Sequence, residues 1–138
     1  MSVLEWRRER HRILLPVQIL PPFPVSVLTG VEATALLDTG SSISGVALSL
    51  AEKLGLHRLG KLPLKSAQGL GQVERYAFRV GLAAEGAGRA PSFPFVFDEV
   101  VGIELTNSFE FNALIGMDVL DRCDFSTERT GRCSLSFG

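Results

Sequence analysis

Cysteine is scarce. Only Cys123 and Cys133 occur in 138 residues, too few for a disulfide framework. Histidine is as rare, with His11 and His57 alone and no Cys-x-x-Cys, so no zinc site or other metal centre is indicated. Excess charge of one sign is also missing. Fourteen Lys and Arg against fifteen Asp and Glu leave a net charge of −1, which argues against nucleic acid as the main partner. No apolar run approaches the ~20 residues that span a bilayer, so no membrane partner is expected. The N-terminus lacks the apolar core of a secretion signal, which makes the cytoplasm the expected compartment. Free thiols are expected there; the alternative is a pair facing each other across the last hairpin.

What is present is apolar and branched. Hydrophobic residues make up 46% of the chain, enough for a folded core in one domain of this length. Met1 to Arg12 form a polar, basic lead containing Trp6. It reads as a short helix or frayed extension. The sharper alternative is a basic contact patch, diluted by Glu5 and Glu9. Residues 13–138 follow as the folded domain.

Ile13 to Leu20 reads as a strand, with Pro16 favouring an edge or a strand start. Pro21-Pro22-Phe23-Pro24 breaks it. Val25 to Leu28 is a second short strand, turned by Thr29-Gly30, and Val31 to Leu37 a third. Ile43 to Val46 is extended. Ala47 to Leu56 is a helix, with apolar positions 47, 50, 51 and 54 on one face and Gly55 as its stop. Leu62 to Ala67 and Gln72 to Val80 flank Gln68-Gly69-Leu70-Gly71, the pattern of a β-hairpin with an apolar tip. Ser92 to Phe97 alternates aromatics that suit a core. Val100 to Asn107 continues as strand or loop. Phe111 to Gly116 is strand-like, Met117 to Arg122 opens a short helix, and the chain ends in a hairpin turning at Thr130-Gly131. The expected class is mostly β with one or two short helices.

The chemistry concentrates in Ala35-Leu36-Leu37-Asp38-Thr39-Gly40-Ser41-Ser42. An apolar strand delivers an acid into a turn whose glycine lets the backbone come close to a neighbour. Asp38 is therefore the candidate catalytic acid. Asp-Thr-Gly alone is weak, arising by chance in roughly one in forty chains of this length. Its context strengthens it: a strand precedes it, and Leu114-Ile115-Gly116 with a short helix follows downstream.

Together these segments resemble the retropepsin-like aspartic proteases, in particular their bacterial single-domain members. The shared signatures are an Asp-Thr-Gly-(Ser/Ala) loop and an apolar-apolar-Gly turn that crosses it. The resemblance runs from about Ile13 to the C-terminus. It implies a closed β-barrel with an aspartate at the base of a cleft, and a water held between two aspartates as nucleophile. It implies no cofactor and no metal, and a polypeptide substrate. Thr39 corresponds to the hydroxyl residue that ties two active-site loops together. Gly40 corresponds to the amide that approaches the carboxylate. Ser41 stands where a hydroxyl can bond that carboxylate. The hairpin at Gln68, Gly69, Leu70 and Gly71 corresponds to the flap, or is a plain surface hairpin. Leu114, Ile115 and Gly116 correspond to the crossing turn.

The chain carries one Asp-Thr-Gly only. An active enzyme of this kind needs a second aspartate, so the implied form is a homodimer with one Asp38 from each subunit. Asp118 or Asp124 as partner within one chain is the minor alternative; Asp118 reads better as a helix cap. Leu14 to Val17 and Leu135 to Phe137 are the candidate interleaved strands of the dimer. Two other functions stay open: a retropepsin-fold binding or dimerisation module with little proteolysis, and a small β domain with a chance Asp-Thr-Gly. His11 and His57 are expected at the surface.

Overall fold

The computed structural model describes residues 2–22, 30–66, 69–82, 95–108 and 110–138. Its core is built from strands of period two. In β2 (Leu14–Leu20), Leu15, Val17 and Ile19 point inward while Pro16 is exposed. In β3 (Val31–Leu37), Ala33, Ala35 and Leu37 point inward while Glu32 and Thr34 face out. The two pair antiparallel, with Leu15 opposite Ala35 and Val17 opposite Ala33. Pro16 lies below the stretch, Gln18 to Leu20, where β2 also meets the strand Gly69–Leu82 (β6), so its missing N–H breaks no ladder on that side. The expected strand at Val25 to Leu28 lies outside the described residues.

β4 (Gly45–Ala47), β5 (Arg58–Ser66), β6 (Gly69–Leu82), β7 (Phe95–Leu105) and β8 (Ala113–Ile115) complete the main sheet. Its order is β2-β3-β8-β4-β7-β6-β5, and the extra β2–β6 pairing joins its ends into a closed six-stranded barrel. The expected closed β-barrel is thus what forms. Among the described residues of this sheet, closure leaves β5 on an edge, where Pro63 is tolerated. α1 (Leu48–Leu54) packs Leu50 and Ala51 inward. It stops at Gly55, whose φ of 64° satisfies the end of the helix in the left-handed region. α2 (Met117–Leu120) is one short turn.

β6 is long, and its halves have different neighbours. Residues 75–82 pair with β7 inside the barrel, whereas Gly69 to Glu74 pair only with β5. A two-stranded ribbon therefore projects past the barrel. Its apex differs from the expected tip. Ser66 pairs with Gly69, Lys65 with Leu70 and Leu64 with Gly71, so Gly69, Leu70 and Gly71 are strand positions. Gln68 lies outside the described residues. The glycine at 69 adopts φ 116°, a conformation glycine accepts without strain. At the root of the ribbon, Tyr76 donates its hydroxyl to Glu104 Oε1 at 2.5 Å. Burial, then this bond and the negative charge of Glu104, push the phenol up from 10.0 to about 12. An acid held neutral in the fold stabilises below its unfolded pKa, and that contribution is lost as pH rises from 10 towards 12. Ultraviolet titration of this single tyrosine should show no phenolate until the pH nears that upper value or the protein unfolds. A free-solution titration curve would show that the hydroxyl is not buried.

β7 carries one extra residue. Phe78 pairs with Val100 but Val80 with Phe97, and Glu99 takes φ 57°, the mark of a β-bulge. Phe97 is buried, as expected of a core aromatic; Phe95, expected in the core as well, is exposed at the surface and packs edge-on against Phe97 at 5.1 Å. Phe93 lies outside the described residues.

The N-terminal lead corrects the expectation of a helix or frayed end. Ser2–Arg7 is a strand, β1, paired antiparallel with β10 (Arg132–Phe137), which also pairs with β9 (Asp124–Thr127). The alternation Leu4, Trp6 against Glu5, Arg7 is what drives it: Leu4 is buried and Trp6 stacks on Phe125 at 6.4 Å. This pairing also changes the candidate dimer strands. Leu14 to Val17 belong to the barrel, and Leu135 to Phe137 sit between β1 and β9 of the same chain. Cys123 and Cys133 are free thiols; Cys133 points at Thr127 Oγ1, 3.3 Å away. Burial, then Asp124, push the Cys123 thiol up to about 11, which keeps it protonated and unreactive at neutral pH.

Candidate active site

Asp38 is positioned by the strand that precedes it. Leu37 is buried and its N–H donates to Ile13 O at 2.9 Å; the Asp38 N–H donates to Ile115 O at 2.9 Å. β8 runs parallel to β3 at this end, with Leu37 opposite Ile115. The acid thus leaves the barrel at a point fixed from both sides, with its side chain half-buried.

The loop then closes on itself. Ser41 N–H donates to Asp38 O at 3.2 Å, and Gly40 N–H donates to Asp38 Oδ1 at 2.9 Å. A Cβ at position 40 would stand 3.2 Å from that same oxygen, tighter than ordinary contact, which is why glycine suits the turn. Ser41 differs from expectation. Its hydroxyl donates to Ile43 O at 2.7 Å, so it stiffens the loop and leaves the carboxylate alone. Thr39 is exposed.

Leu114, Ile115 and Gly116 do cross this loop. A Cβ on Gly116 would meet Ser41 O at 2.8 Å and the Ile43 carbonyl at 2.9 Å, both backbone atoms that have little room to yield. The close approach brings Met117 N–H to Ser41 O at 2.7 Å. Asp118 completes the junction. Its Oδ1 accepts the Ser44 hydroxyl at 2.6 Å and the Val119 N–H at 2.9 Å, and its Oδ2 accepts the Ser44 N–H at 3.1 Å. The Ser44 hydroxyl accepts the Gly116 N–H at 3.0 Å. Ser44 is fully buried. Asp118 is therefore spent on holding two loops together. Asp124 stands exposed at the start of β9, opposite Ser136. Ser44 is the residue that sequence reasoning missed: a serine after Asp-Thr-Gly-Ser-Ser-Ile carries no signal until its partner across 74 positions is known.

Asp38 opens on a cavity of about 650 Å³. Its walls include Ile13, Leu36 and Phe111, and a basic run comprising Arg8, Arg10 and Arg12. His11, also on this wall, and His57 are exposed. Among the described residues no group of three His, Cys, Asp or Glu could hold a metal, and no helix is long and apolar enough to cross a membrane.

The chain is similar in structure to a retropepsin-like aspartic protease from Rickettsia conorii: TM-score 0.64 at 16% identity, covering 99% of this chain and 91% of the other. It is also similar to the EIAV protease solved with the inhibitor HBY-793: TM-score 0.51 at 16% identity, covering 81% and 88%. The fold is retropepsin-like on that evidence. No curated protein sequence matches the chain. The family model described as aspartyl protease matches residues 23–119, a span of more than two thirds of the chain that holds the Asp38 turn and the Gly116 crossing. The chain thus belongs to the aspartyl protease family.

Proposed function

We propose that the protein is a homodimeric aspartic endopeptidase whose site is completed by Asp38 of a second copy. The observation that carries this is a single acid of the required kind: Asp38 is half-buried, faces an open cavity, and is held by Gly40 N–H at 2.9 Å on a turn braced by Gly116. The neighbouring acids are engaged elsewhere, Asp118 with Ser44 and Glu110 with Arg12.

Two carboxylates facing one water cannot both ionise easily, so the pair shares a proton. The ionised member takes a proton from the water as it attacks the peptide carbonyl. The protonated member donates to the developing oxyanion. Gly40 N–H holds the carboxylate of its own Asp38 in place. Exposed Thr39 is available to bond the partner loop across the two-fold axis, and the ribbon of Lys61 to Glu74 would cover the peptide as a flap. Side chains of the substrate would sit against Ile13, Leu36 and Phe111.

The test is dilution. Specific activity on an unstructured protein at mildly acidic pH should fall as the enzyme is diluted through its dimer dissociation constant. Asp38→Asn subunits in excess should poison wild-type activity beyond simple dilution. Full activity in a species that sediments as a monomer would refute the shared site. A folded dimer with no cleavage at any pH would favour the alternative, a binding or dimerisation module.

A further inference from the structure

The basic run near the N-terminus is unused by the proposed chemistry, yet the fold brings it beside Asp38. Arg8, Arg10, His11 and Arg12 line the same cavity as Asp38, and among the described lining residues Glu110 is the only other acid. Arg12 is paired with Glu110, which leaves Arg8 and Arg10 against Asp38 alone among the described lining residues. Arg8 is held by neutral acceptors. Its Nε donates to Thr127 Oγ1 at 2.9 Å, its Nη2 to Glu128 O at 3.1 Å, and its Nη1 to Arg10 O at 3.1 Å and Glu9 O at 3.3 Å. These bonds lock the guanidinium in place without cancelling its charge. Arg10 is exposed, with no carboxylate partner among the described residues.

A nearly neutral chain thus sets three arginines along one wall of a concave site, one more than the carboxylates beside them. A cleft lined by one sign of charge concentrates ligands of the other. We infer that the site selects polypeptides carrying acidic side chains close to the bond that is cleaved, with Arg10 as the residue that pairs with the acid and Arg8 as a fixed charge behind it. The cleavage part rests on the peptidase reading above. In a two-fold dimer each subunit supplies one such wall, so acidic residues are favoured on both flanks of the bond.

The test separates recognition from chemistry. Two synthetic peptides share a Phe-Leu centre and differ only in carrying glutamates or glutamines on either side of it. Binding is measured to the Asp38→Asn protein by fluorescence anisotropy. The glutamate peptide should bind roughly five- to tenfold more tightly at low salt, with the ratio shrinking as salt screens the charges. Adding Arg10→Glu should bring that ratio to one or below. Arg10 is exposed, so the substitution leaves the core untouched, and equal thermal unfolding of the two proteins checks this. Equal binding of the two peptides, binding of neither, or a ratio indifferent to Arg10→Glu overturns the inference. Wild-type cleavage is then read separately. Equal cleavage of both peptides overturns the acidic preference and keeps the peptidase; intact preference without cleavage sinks the peptidase and keeps the recognition site.

Discussion

Asp38→Asn is expected to lower kcat/KM for peptide hydrolysis by about a thousandfold or more, while the stability of the fold stays within about 1 kcal/mol of wild type. Asparagine has the size of aspartate and still offers an oxygen to Gly40 N–H, so the turn keeps its 2.9 Å bond. What it cannot do is accept a proton from water. A thousandfold loss corresponds to about 4 kcal/mol of transition-state stabilisation, the scale of a removed general base. Steady-state kinetics on an unstructured protein at mildly acidic pH, with thermal unfolding alongside, measure both halves. Activity within tenfold of wild type would mean that another group activates the water.

Asp118→Ala is expected to cost about 3 kcal/mol of stability, because it leaves the buried Ser44 N–H and hydroxyl without their charged acceptor. For a chain of this size that is a fall of roughly 10 °C in Tm. Ser44→Ala should cost less, about 1–2 kcal/mol, since the Asp118 carboxylate keeps the backbone N–H of residue 44 and that of Val119. Activity should fall in both, because Gly116 lies against the carbonyls of Ser41 and Ile43 and any shift of that turn moves the Asp38 loop. Urea or thermal unfolding of the two variants decides it. An Asp118→Ala protein as stable as wild type would show that the carboxylate holds nothing together.

Much of this was legible from local pattern. The inward faces of β2 and β3, the stop of α1 at Gly55 and the apolar approach to Asp38 are consequences of alternation, spacing and glycine conformation, which act over a few residues. The Asp-Thr-Gly turn and the later Leu-Ile-Gly turn could be matched to a known family because each is short and contiguous. Where the structure departs from that pattern, the cause is a partner that local composition does not name. Met1 to Arg12 looked loosely held because its charges hid the Leu4, Trp6 face, which orders only when β10 arrives from the other end of the chain. Glycines mark both turns and strand positions, and pairing of Ser66 with Gly69 decides between them for the ribbon. The position of Ser41 allows a bond to the carboxylate, but the Ile43 carbonyl is its acceptor.

The amino-acid sequence by itself determined the fold class, the family signatures and the identity of the candidate acid, because hydrophobic period and turn chemistry are written in neighbouring residues. Only the tertiary structure decided what surrounds that acid. Closure of the barrel set β3 beside β8, so that Gly116 could press on the Asp38 loop and Asp118 could hold Ser44. Pairing of the two chain ends carried Arg8, Arg10 and Arg12 to the wall of the same cavity. Such contacts join residues tens of positions apart, and no local propensity encodes them; they follow from burying the apolar faces of all the strands at once.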